Sequence, residues 1–513
     1  MHRAAATARA GRDEPLQHVA PRQHPARQLM NGTTTTARLL AATLLAVLVP
    51  AAPVAGAQPQ DSQPNGTQAE QDAGPTPPPL TDRIKPENDG QPDRPYTRTS
   101  VGCVTSLDGN VQLQEKAWGQ DVLRFQDLSA FATGANQTVA VIDTGVNQHD
   151  YLAGRLEGGG DYVEAGGDGL SDCDGHGTQV AGIIAAKPPS DDIGFRGIAP
   201  DAKILSIRQS SEFYEYKPPQ GSQEEGRASA GSLDTLAEAV VEAADRNVDV
   251  INMSVDTCRA AANVPITASE RNLQRALRYA VEEKDVVLVS SAGNIPGPNC
   301  REQNNSDPAN PRFIVSPPWF SEYVLSVAAV DRSGDPAGFS MHGPWVSVAA
   351  PGTEIISLNP GDRDGLVNVT ADEKGEQTPI QGTSFAAPYV AGLAALVRER
   401  FEKLGQPLTA KQIMERIKIT AAHPAANGGH NIQVGYGMVN PVSALTTMIP
   451  AEENIPPDEA VEVPFEMPPP HERDWAPVQV AVIGSAGGLG LLLLTLFVVH
   501  TVRRQRGDRP DLS

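Results

Sequence analysis

Short apolar runs alternate with amphipathic stretches through the middle of the chain. We predict buried strands where the runs are short and bounded by turn-forming residues, at 137–146, 202–207, 248–254, 286–290, 324–330 and 346–350. Apolar residues recur at helical spacing at 113–125, 232–246, 270–283, 385–397 and 409–420. This alternation is typical of an α/β fold with a doubly wound parallel sheet and helices on both faces. We predict that the polar stretch 209–231 is a long surface loop.

The N-terminal 57 residues have the pattern of a secretory signal. Arg38 precedes the apolar run 39–49, and the small residues 55–57 follow it. A charged start, a short apolar core and a small-residue cleavage site favour export over the alternative, a short buried helix. Because Met30 begins a segment of ordinary signal length, translation is expected to start either there or at residue 1.

A second apolar segment near the C-terminus predicts a membrane anchor. Residues 476–502 contain no Asp, Glu, Lys or Arg and are long enough to cross a bilayer. Trp475 precedes the segment, and four arginines lie within residues 503–513. An aromatic anchor outside and arginines inside favour a single-pass protein of the cell membrane, with its main body on the extracytoplasmic side. The alternative is a buried core helix.

Two proline-rich stretches divide the rest of the chain. Residues 58–110 form an extension with too few aliphatic residues to fold as a domain by itself. We expect it to be a tail or a segment draped over the globular body, kept as a permanent clamp instead of removed as a folding template. Residues 450–475 form a semi-rigid spacer. The catalytic domain is therefore expected at 111–449 and the cytoplasmic tail at 503–513.

Charge and cysteine content narrow the possible partners. A formal net charge of -21 argues against nucleic acid as a partner. The four cysteines, in an exported chain, suggest two disulfides with three possible pairings, although one bridge and two free thiols is an alternative. They are Cys103, Cys173, Cys258 and Cys300.

Ser384 is the strongest candidate for catalytic chemistry. It follows Gly382 and begins the Ala-rich helix, where a serine is most often only a cap. A helix N-terminus also offers unpaired N–H groups and a positive dipole end to an oxyanion that forms beside the hydroxyl. A nucleophilic serine additionally needs a base, and the base needs a carboxylate to orient it.

The chain offers both partners and a possible oxyanion donor. Asp143 ends a predicted buried strand, and His176 lies between two glycines at a predicted helix start. Asn294 follows another strand, where its amide can donate a hydrogen bond to an oxyanion. Considered singly, the aspartate is usually a turn cap, the histidine a core residue and the asparagine a turn residue. Their order along the chain and their positions at strand ends and helix starts together favour a catalytic site that also includes Ser384.

These stretches resemble the subtilisin-like serine proteases, or subtilases. The matching motifs are Val-Ile-Asp-Thr-Gly at 141–145, Asp-Gly-His-Gly-Thr at 174–178, Ser-Ala-Gly-Asn at 291–294 and Gly-Thr-Ser-Phe-Ala-Ala-Pro at 382–388. The resemblance implies that Ser384 is the nucleophile, His176 the general base and Asp143 its orienting carboxylate. It also implies that Asn294 and the Ser384 N–H form the oxyanion hole. Neither a cofactor nor a metal is expected.

The surrounding architecture resembles a narrower group, the mycosins, which are membrane-anchored subtilases of actinobacterial type VII secretion systems. The resemblance implies a polypeptide substrate and a type VII secretion membrane complex as a partner. It also supports the pairing that we predict, Cys103 with Cys173 and Cys258 with Cys300. A competing hypothesis is that the chain is mainly a structural component of that complex, with proteolysis secondary.

One position departs from the subtilase pattern. Where these proteases have a small Ser-x-Gly edge, the chain has Ser254, Val255 and Asp256. Together with Gly293 they are our candidates for substrate binding, by strand addition. An aspartate in place of glycine would narrow or charge the specificity pocket, which favours a selective protease over a broad digestive one.

Overall fold

The computed structural model describes residues 76–104, 107, 114–218, 228–261, 265–297, 299–304, 306–371, 376–452 and 476–507. The predicted signal at 1–57, most of the proline-rich spacer and the end of the predicted cytoplasmic tail lie outside these residues. Among the described residues the strands are β1 (Thr97–Arg98), β2 (Thr138–Asp143), β3 (Leu156–Asp161), β4 (Lys203–Arg208), β5 (Ser211–Tyr216), β6 (Ala228–Ala230), β7 (Val250–Met253), β8 (Thr257–Ala260), β9 (Val287–Ser291), β10 (Phe313–Ser316), β11 (Leu325–Val330), β12 (Val346–Pro351), β13 (Ser357–Leu358), β14 (Leu366–Val367), β15 (Val369–Ala371) and β16 (Gln377–Pro379).

The described residues also form helices. They are α1 (Trp118–Val122), α2 (Phe125–Leu128), α3 (His176–Ala185), α4 (Leu233–Asp245), α5 (Ala268–Arg278, continued by one π-helical turn to Glu283), α6 (Thr383–Lys403), α7 (Ala410–Ile419), α8 (Pro441–Thr446) and α9 (Ala476–Gly507). Capping boxes begin α4, α5 and α7, where Ser232, Thr267 and Thr409 each accept the backbone N–H three residues on. These caps explain why the helices begin within two residues of the sequence prediction.

The core is a parallel sheet of seven strands in the order β12-β11-β9-β7-β2-β4-β3. Every residue of β7, β9, β11 and β12 is buried, as expected for strands covered on both faces. The predicted α/β architecture and its six buried strands are confirmed. The edge strand β3 lies outside the predicted strands, because its sequence Leu-Glu-Gly-Gly-Gly-Asp has one large apolar side chain, Leu156, and three glycines.

Two local predictions are wrong. The helical spacing at 113–125 gives only the short α1, and the chain breaks before α2 because Arg124 adopts a left-handed backbone with φ 57°. The predicted loop at 209–231 instead contains β5 and β6. Alternate residues of β5 are buried, so the polar composition of the stretch hides an amphipathic strand.

The strands β5 and β6 form a small antiparallel sheet with β1, in the order β1-β5-β6, which we call the lip sheet. Its strand β1 belongs to the N-terminal extension, which runs along the body of the protein before reaching it. Asp82 pairs with Arg275 of α5 at 2.7 Å, and Lys85 pairs with Asp245 of α4 at 2.6 Å. The described part of the extension is therefore draped over the helices, one of the two arrangements expected.

The C-terminal helix α9 is 32 residues long. It contains an 18-residue window, Gly487–Arg504, with a mean hydropathy of 1.3. By length and composition α9 is able to cross a membrane, which makes it a candidate anchor.

Candidate active site

The site is built at the carboxyl ends of neighbouring parallel strands. Asp143 is the last residue of β2, Ser254 follows β7, and Asn294 lies three residues beyond β9. The strands β9, β7 and β2 are adjacent, so their carboxyl ends bring these residues to one edge of the sheet. Two helices that begin at this edge carry the remaining groups: His176 begins α3, and Ser384 is the second residue of α6.

Asp143 and His176 are in direct contact. The carboxylate Oδ1 of Asp143 lies 2.6 Å from Nδ1 of His176 and also accepts the backbone N–H of Thr144 at 2.8 Å. Asp143 is fully buried, whereas His176 keeps part of its ring exposed. Gly177 makes this approach possible, because a Cβ there would lie 2.1 Å from the carbonyl oxygen of Gly145.

Asp172 organises the loop that precedes His176. Its Oδ1 accepts the Oγ1–H of Thr144 and the N–H of Gly175, both at 2.8 Å, while Oδ2 accepts the N–H and the hydroxyl of Thr178. Burial raises the pKa of Asp172 to about 6, although these hydrogen bonds oppose the rise. Sequence reasoning missed this residue, since an aspartate in a turn has many structural uses.

The carboxylates around His176 govern its protonation. Burial by itself would lower the pKa of His176, but the charge and the hydrogen bond of Asp143 outweigh it, with contributions from Asp172 and Asp174. The pKa of His176 is thereby raised to about 9. The arrangement strongly stabilises an imidazolium, the form that a catalytic histidine takes after it accepts a proton.

Ser384 and His176 line the same cavity, which has a volume of about 530 Å³. The ring of Phe385, the next residue in α6, lies 5.0 Å from the ring of His176. The hydroxyl of Ser254 donates to the carbonyl oxygen of Ser384 at 2.8 Å, which ties the start of α6 to the end of β7. Gly382 precedes this start, and its φ of 151° favours glycine.

Asn294 is held beside Ser384 through Thr383. Its Oδ1 accepts the backbone N–H of Thr383 at 3.0 Å and the Thr383 hydroxyl at 3.1 Å. Because a backbone N–H is only a donor, these contacts fix Oδ1 toward the helix and leave Nδ2 available as a donor. Sequence reasoning missed Thr383, which has a role only when Asn294 is already in place.

The predicted substrate-binding residues divide into two groups. Ser254, Val255 and Asp256 line the cavity with His176 and Ser384. Gly293 lies on the loop after β9, with a φ of 99°, and a Cβ there would be 3.1 Å from Val315. Among the described residues, those that line the 530 Å³ cavity include none from that loop.

Asp256 reaches from one wall of the cavity to the neighbouring strand. Its Oδ2 accepts the hydroxyl of Ser291, the last residue of β9, at 3.1 Å. Desolvation of its carboxylate raises the pKa of Asp256 to about 6, although part of the residue is exposed, and the hydrogen bond of Ser291 and the charge of His176 oppose this rise.

The two disulfides have the predicted pairing. Cys103 is bonded to Cys173, three residues before His176, and Cys258 is bonded to Cys300. The first bridge closes a 70-residue separation and joins the end of the extension to the loop that carries His176. Both sulfur pairs are therefore next to elements of the site.

The comparisons with known proteins agree with this geometry. The family model described as the subtilase family matches residues 134–437. Mycosin-1 of Mycobacterium tuberculosis is 42% identical over 431 residues, which cover 81% of this chain and 93% of that protein. The chain belongs to the subtilase family, within its mycosin group. It is accordingly a serine protease.

Solved structures of other mycosins share the fold of this subtilase. The crystal structure of MycP1 from Mycobacterium smegmatis has a TM-score of 0.66 at 40% identity, covering 76% of this chain and 99% of that one. A chain in the structure of an intact ESX-5 inner membrane complex has a TM-score of 0.65 at 38% identity, with coverage of 83% and 99%. The likeness extends over nearly the whole of both resolved chains.

Proposed function

We propose that Ser384, His176 and Asp143 cleave polypeptide substrates through an acyl-enzyme, with Asn294 and the Ser384 N–H as the oxyanion hole. The observation that carries this proposal is the 2.6 Å contact between Asp143 and His176, whose ring lines a cavity together with Ser384. The residues lie within the stretch that matches the subtilase family. A serine, a histidine and an aspartate beside two N–H donors are the groups that proteases use for acyl transfer.

In the proposed reaction, Nε2 of His176 takes the proton of Ser384 as Oγ attacks the scissile carbonyl carbon. Asp143 keeps the proton on Nδ1 of His176 and stabilises the imidazolium. The carbonyl oxygen, now negative, accepts hydrogen bonds from Nδ2 of Asn294 and the N–H of Ser384. His176 then gives its proton to the leaving amine, and water repeats the sequence to release the acid and restore the serine.

We further propose that the protease is selective. Asp256 stands where subtilases have a small residue, and its carboxylate reaches across to Ser291 at 3.1 Å. A side chain in this position reduces the room for the substrate residue whose carbonyl is attacked. Small side chains at that residue are expected to be accepted, and large aromatic ones to be disfavoured.

The setting that we propose is a type VII secretion membrane complex. The support is the similarity to a chain of an ESX-5 inner membrane complex and to MycP1, named as an essential component of the ESX-1 system. We propose that α9 spans the membrane, that residues 111–449 form the catalytic domain outside the cytoplasm, and that residues 503–513 lie inside. The arginines at 503 and 504 support this direction.

A second candidate function, structural support of the complex, is favoured by the same similarity to a complex subunit. A Ser384→Ala variant of the full chain separates the two. If support is the main function, the variant leaves the complex and its secretion intact, whereas a proteolytic function predicts an unprocessed substrate in the secreted fraction. Wild-type and variant membranes and secreted proteomes are the material to compare.

The catalytic assignment is tested with a fluorophosphonate probe on the full chain in detergent. We expect labelling at Ser384 and its loss in a His176→Ala variant with unchanged thermal unfolding. Labelling that persists without His176 contradicts the assignment. A membrane-impermeant version of the probe, applied to spheroplasts, should label Ser384 from outside, and labelling only after lysis contradicts the proposed orientation.

A further inference from the structure

The cavity that contains His176 and Ser384 is lined by more acidic than basic side chains. Its acidic side chains are those of Asp174, Glu212 and Asp256, and no lysine or arginine is among its lining residues within the described part of the chain. The remaining lining is neutral and mostly small, apart from His176. A surface of this kind favours a cationic group of the substrate over an anionic one.

Two of the carboxylates belong to one unit of structure. Asp174 precedes His176 by two residues, and its Oδ2 accepts the hydroxyl of Ser211 in β5 at 2.6 Å. Its Oδ1 accepts the backbone N–H of Glu212 at 2.7 Å. Asp174 is thus a nearly buried carboxylate at the cavity wall, whereas Glu212 is exposed in the lip sheet beside it. Asp256 belongs to a different part of the lining, the segment after β7, and accepts the hydroxyl of Ser291 in β9.

The direction of an extended substrate decides which of its residues meets this unit. If the scissile carbonyl lies at Ser384, we expect the side chain of the residue that carries it, the scissile residue, to face Ser254, which is hydrogen-bonded to Ser384, and the nearby Asp256. Successive side chains of an extended chain point to opposite sides, so the preceding residue points toward His176 and the lip sheet. Asp174 and Glu212 belong to that side, because Asp174 is two residues from His176 and accepts hydrogen bonds from Ser211 and from the N–H of Glu212 in the lip sheet.

We infer that the substrate carries a lysine or arginine immediately before the scissile residue, and that its cation binds the carboxylates of Asp174 and Glu212. The inference depends on the proposed function, because it requires catalysis at Ser384. Burial and the nearby charge of Asp172 raise the pKa of Asp174 to about 7. A bound cation offsets both effects and restores the charged carboxylate, and so this position favours a base over any neutral side chain.

The test compares two peptides that differ only at the residue before the scissile one, lysine in one and norleucine in the other. Both have a small scissile residue, and both are given to the full chain in detergent. We expect the lysine peptide to have a kcat/KM roughly tenfold higher, and Glu212→Gln or Asp174→Asn to reduce this ratio several-fold. Glu157→Gln, an equal change of charge at the exposed start of β3, is the control and should leave the ratio unchanged.

The ratio of the two kcat/KM values does not change when a substitution lowers the activity toward both peptides equally. Equal rates for the two peptides, or a ratio that the Glu212 and Asp174 variants do not change, overturn the inference while turnover of either peptide leaves the proposed function intact. A lysine scan of the neighbouring positions that finds its maximum elsewhere also overturns it. If neither peptide is cleaved and Ser384 does not react with a fluorophosphonate, the proposed function fails and this inference fails with it.

Discussion

The two sheets that border the catalytic cavity are held in different ways. The central strands β2, β7 and β9 are almost completely buried, and their ends carry or precede Asp143, Ser254 and Asn294. The lip sheet buries only alternate residues of β5 and depends on partners far away in sequence. The catalytic residues are therefore positioned by the hydrophobic core. The lip sheet that shapes the cleft is instead held by a few long-range contacts, each of which can be removed by mutation.

Removal of the Cys103–Cys173 disulfide should have the largest effect on stability. Replacing both cysteines by serine releases a 70-residue loop and should lower the free energy of unfolding by roughly 4 kcal/mol. Denaturant unfolding of the oxidised full chain measures this. The Cys258→Ser, Cys300→Ser pair opens a 42-residue separation and should cost nearly as much. An unchanged midpoint in the first variant would show that the extension does not clamp the fold.

A change at the sheet edge should instead reduce the rate and spare the fold. Asn294→Ala removes an oxyanion donor and should lower kcat by about 10²–10³, the range known for the equivalent donor of a subtilisin. KM and the unfolding midpoint should change little, because the side-chain hydrogen bonds that the described residues give to Asn294 are the two from Thr383 at the start of α6. Peptide hydrolysis under saturating substrate measures kcat, and a loss confined to KM would assign Asn294 to substrate binding.

The pH dependence sharpens the comparison, since His176 is influenced both by Asp143 of the central sheet and by Asp174, which is hydrogen-bonded to the lip sheet. Its pKa is raised to about 9, so the neutral form that accepts the serine proton becomes more abundant as the pH rises. The reaction rate of Ser384 with a fluorophosphonate should increase between pH 7 and 9, by up to roughly tenfold per unit. In Asp174→Asn one raising charge is lost, so the midpoint should move to lower pH. A shift to higher pH would contradict this account.

The smallest expected effect concerns Asp256, in the segment of the cavity lining that follows β7. Asp256→Gly removes the side chain that reaches Ser291, which should raise kcat/KM for peptides with a large apolar scissile residue by several-fold. Peptides with alanine at that position should be cleaved at nearly the same rate as before. A matched Asp256→Asn variant keeps the volume but not the charge. If it behaves like the glycine variant, charge and not space limits the pocket.

The difference in burial between the central sheet and the lip sheet also explains which parts of the fold the sequence predicts well. Buried strands such as β2 and β9 have continuous apolar runs, and the residues at their ends follow from the motifs around Asp143 and Asn294. The strands β5 and β6 lie where the sequence predicts a loop, because alternate residues of β5 are polar, and the pairing of β5 with β1 involves residues more than 100 positions apart. Asp174 and Glu212 come together only through the hydrogen bonds between the loop before α3 and β5, which no local pattern encodes.

The helix that carries Ser384 also determines how the site is lost. Along α6 nearly every residue from Thr383 to Glu399 is buried, and β7, β9, β11 and β12 all pack against it. Its amide hydrogens should therefore exchange with solvent only when the whole domain opens, at the rate of the slowest exchanging core strands. Local fraying of α6 should therefore not be a route by which Ser384 leaves the site, and this helix should keep its position for as long as the native state lasts.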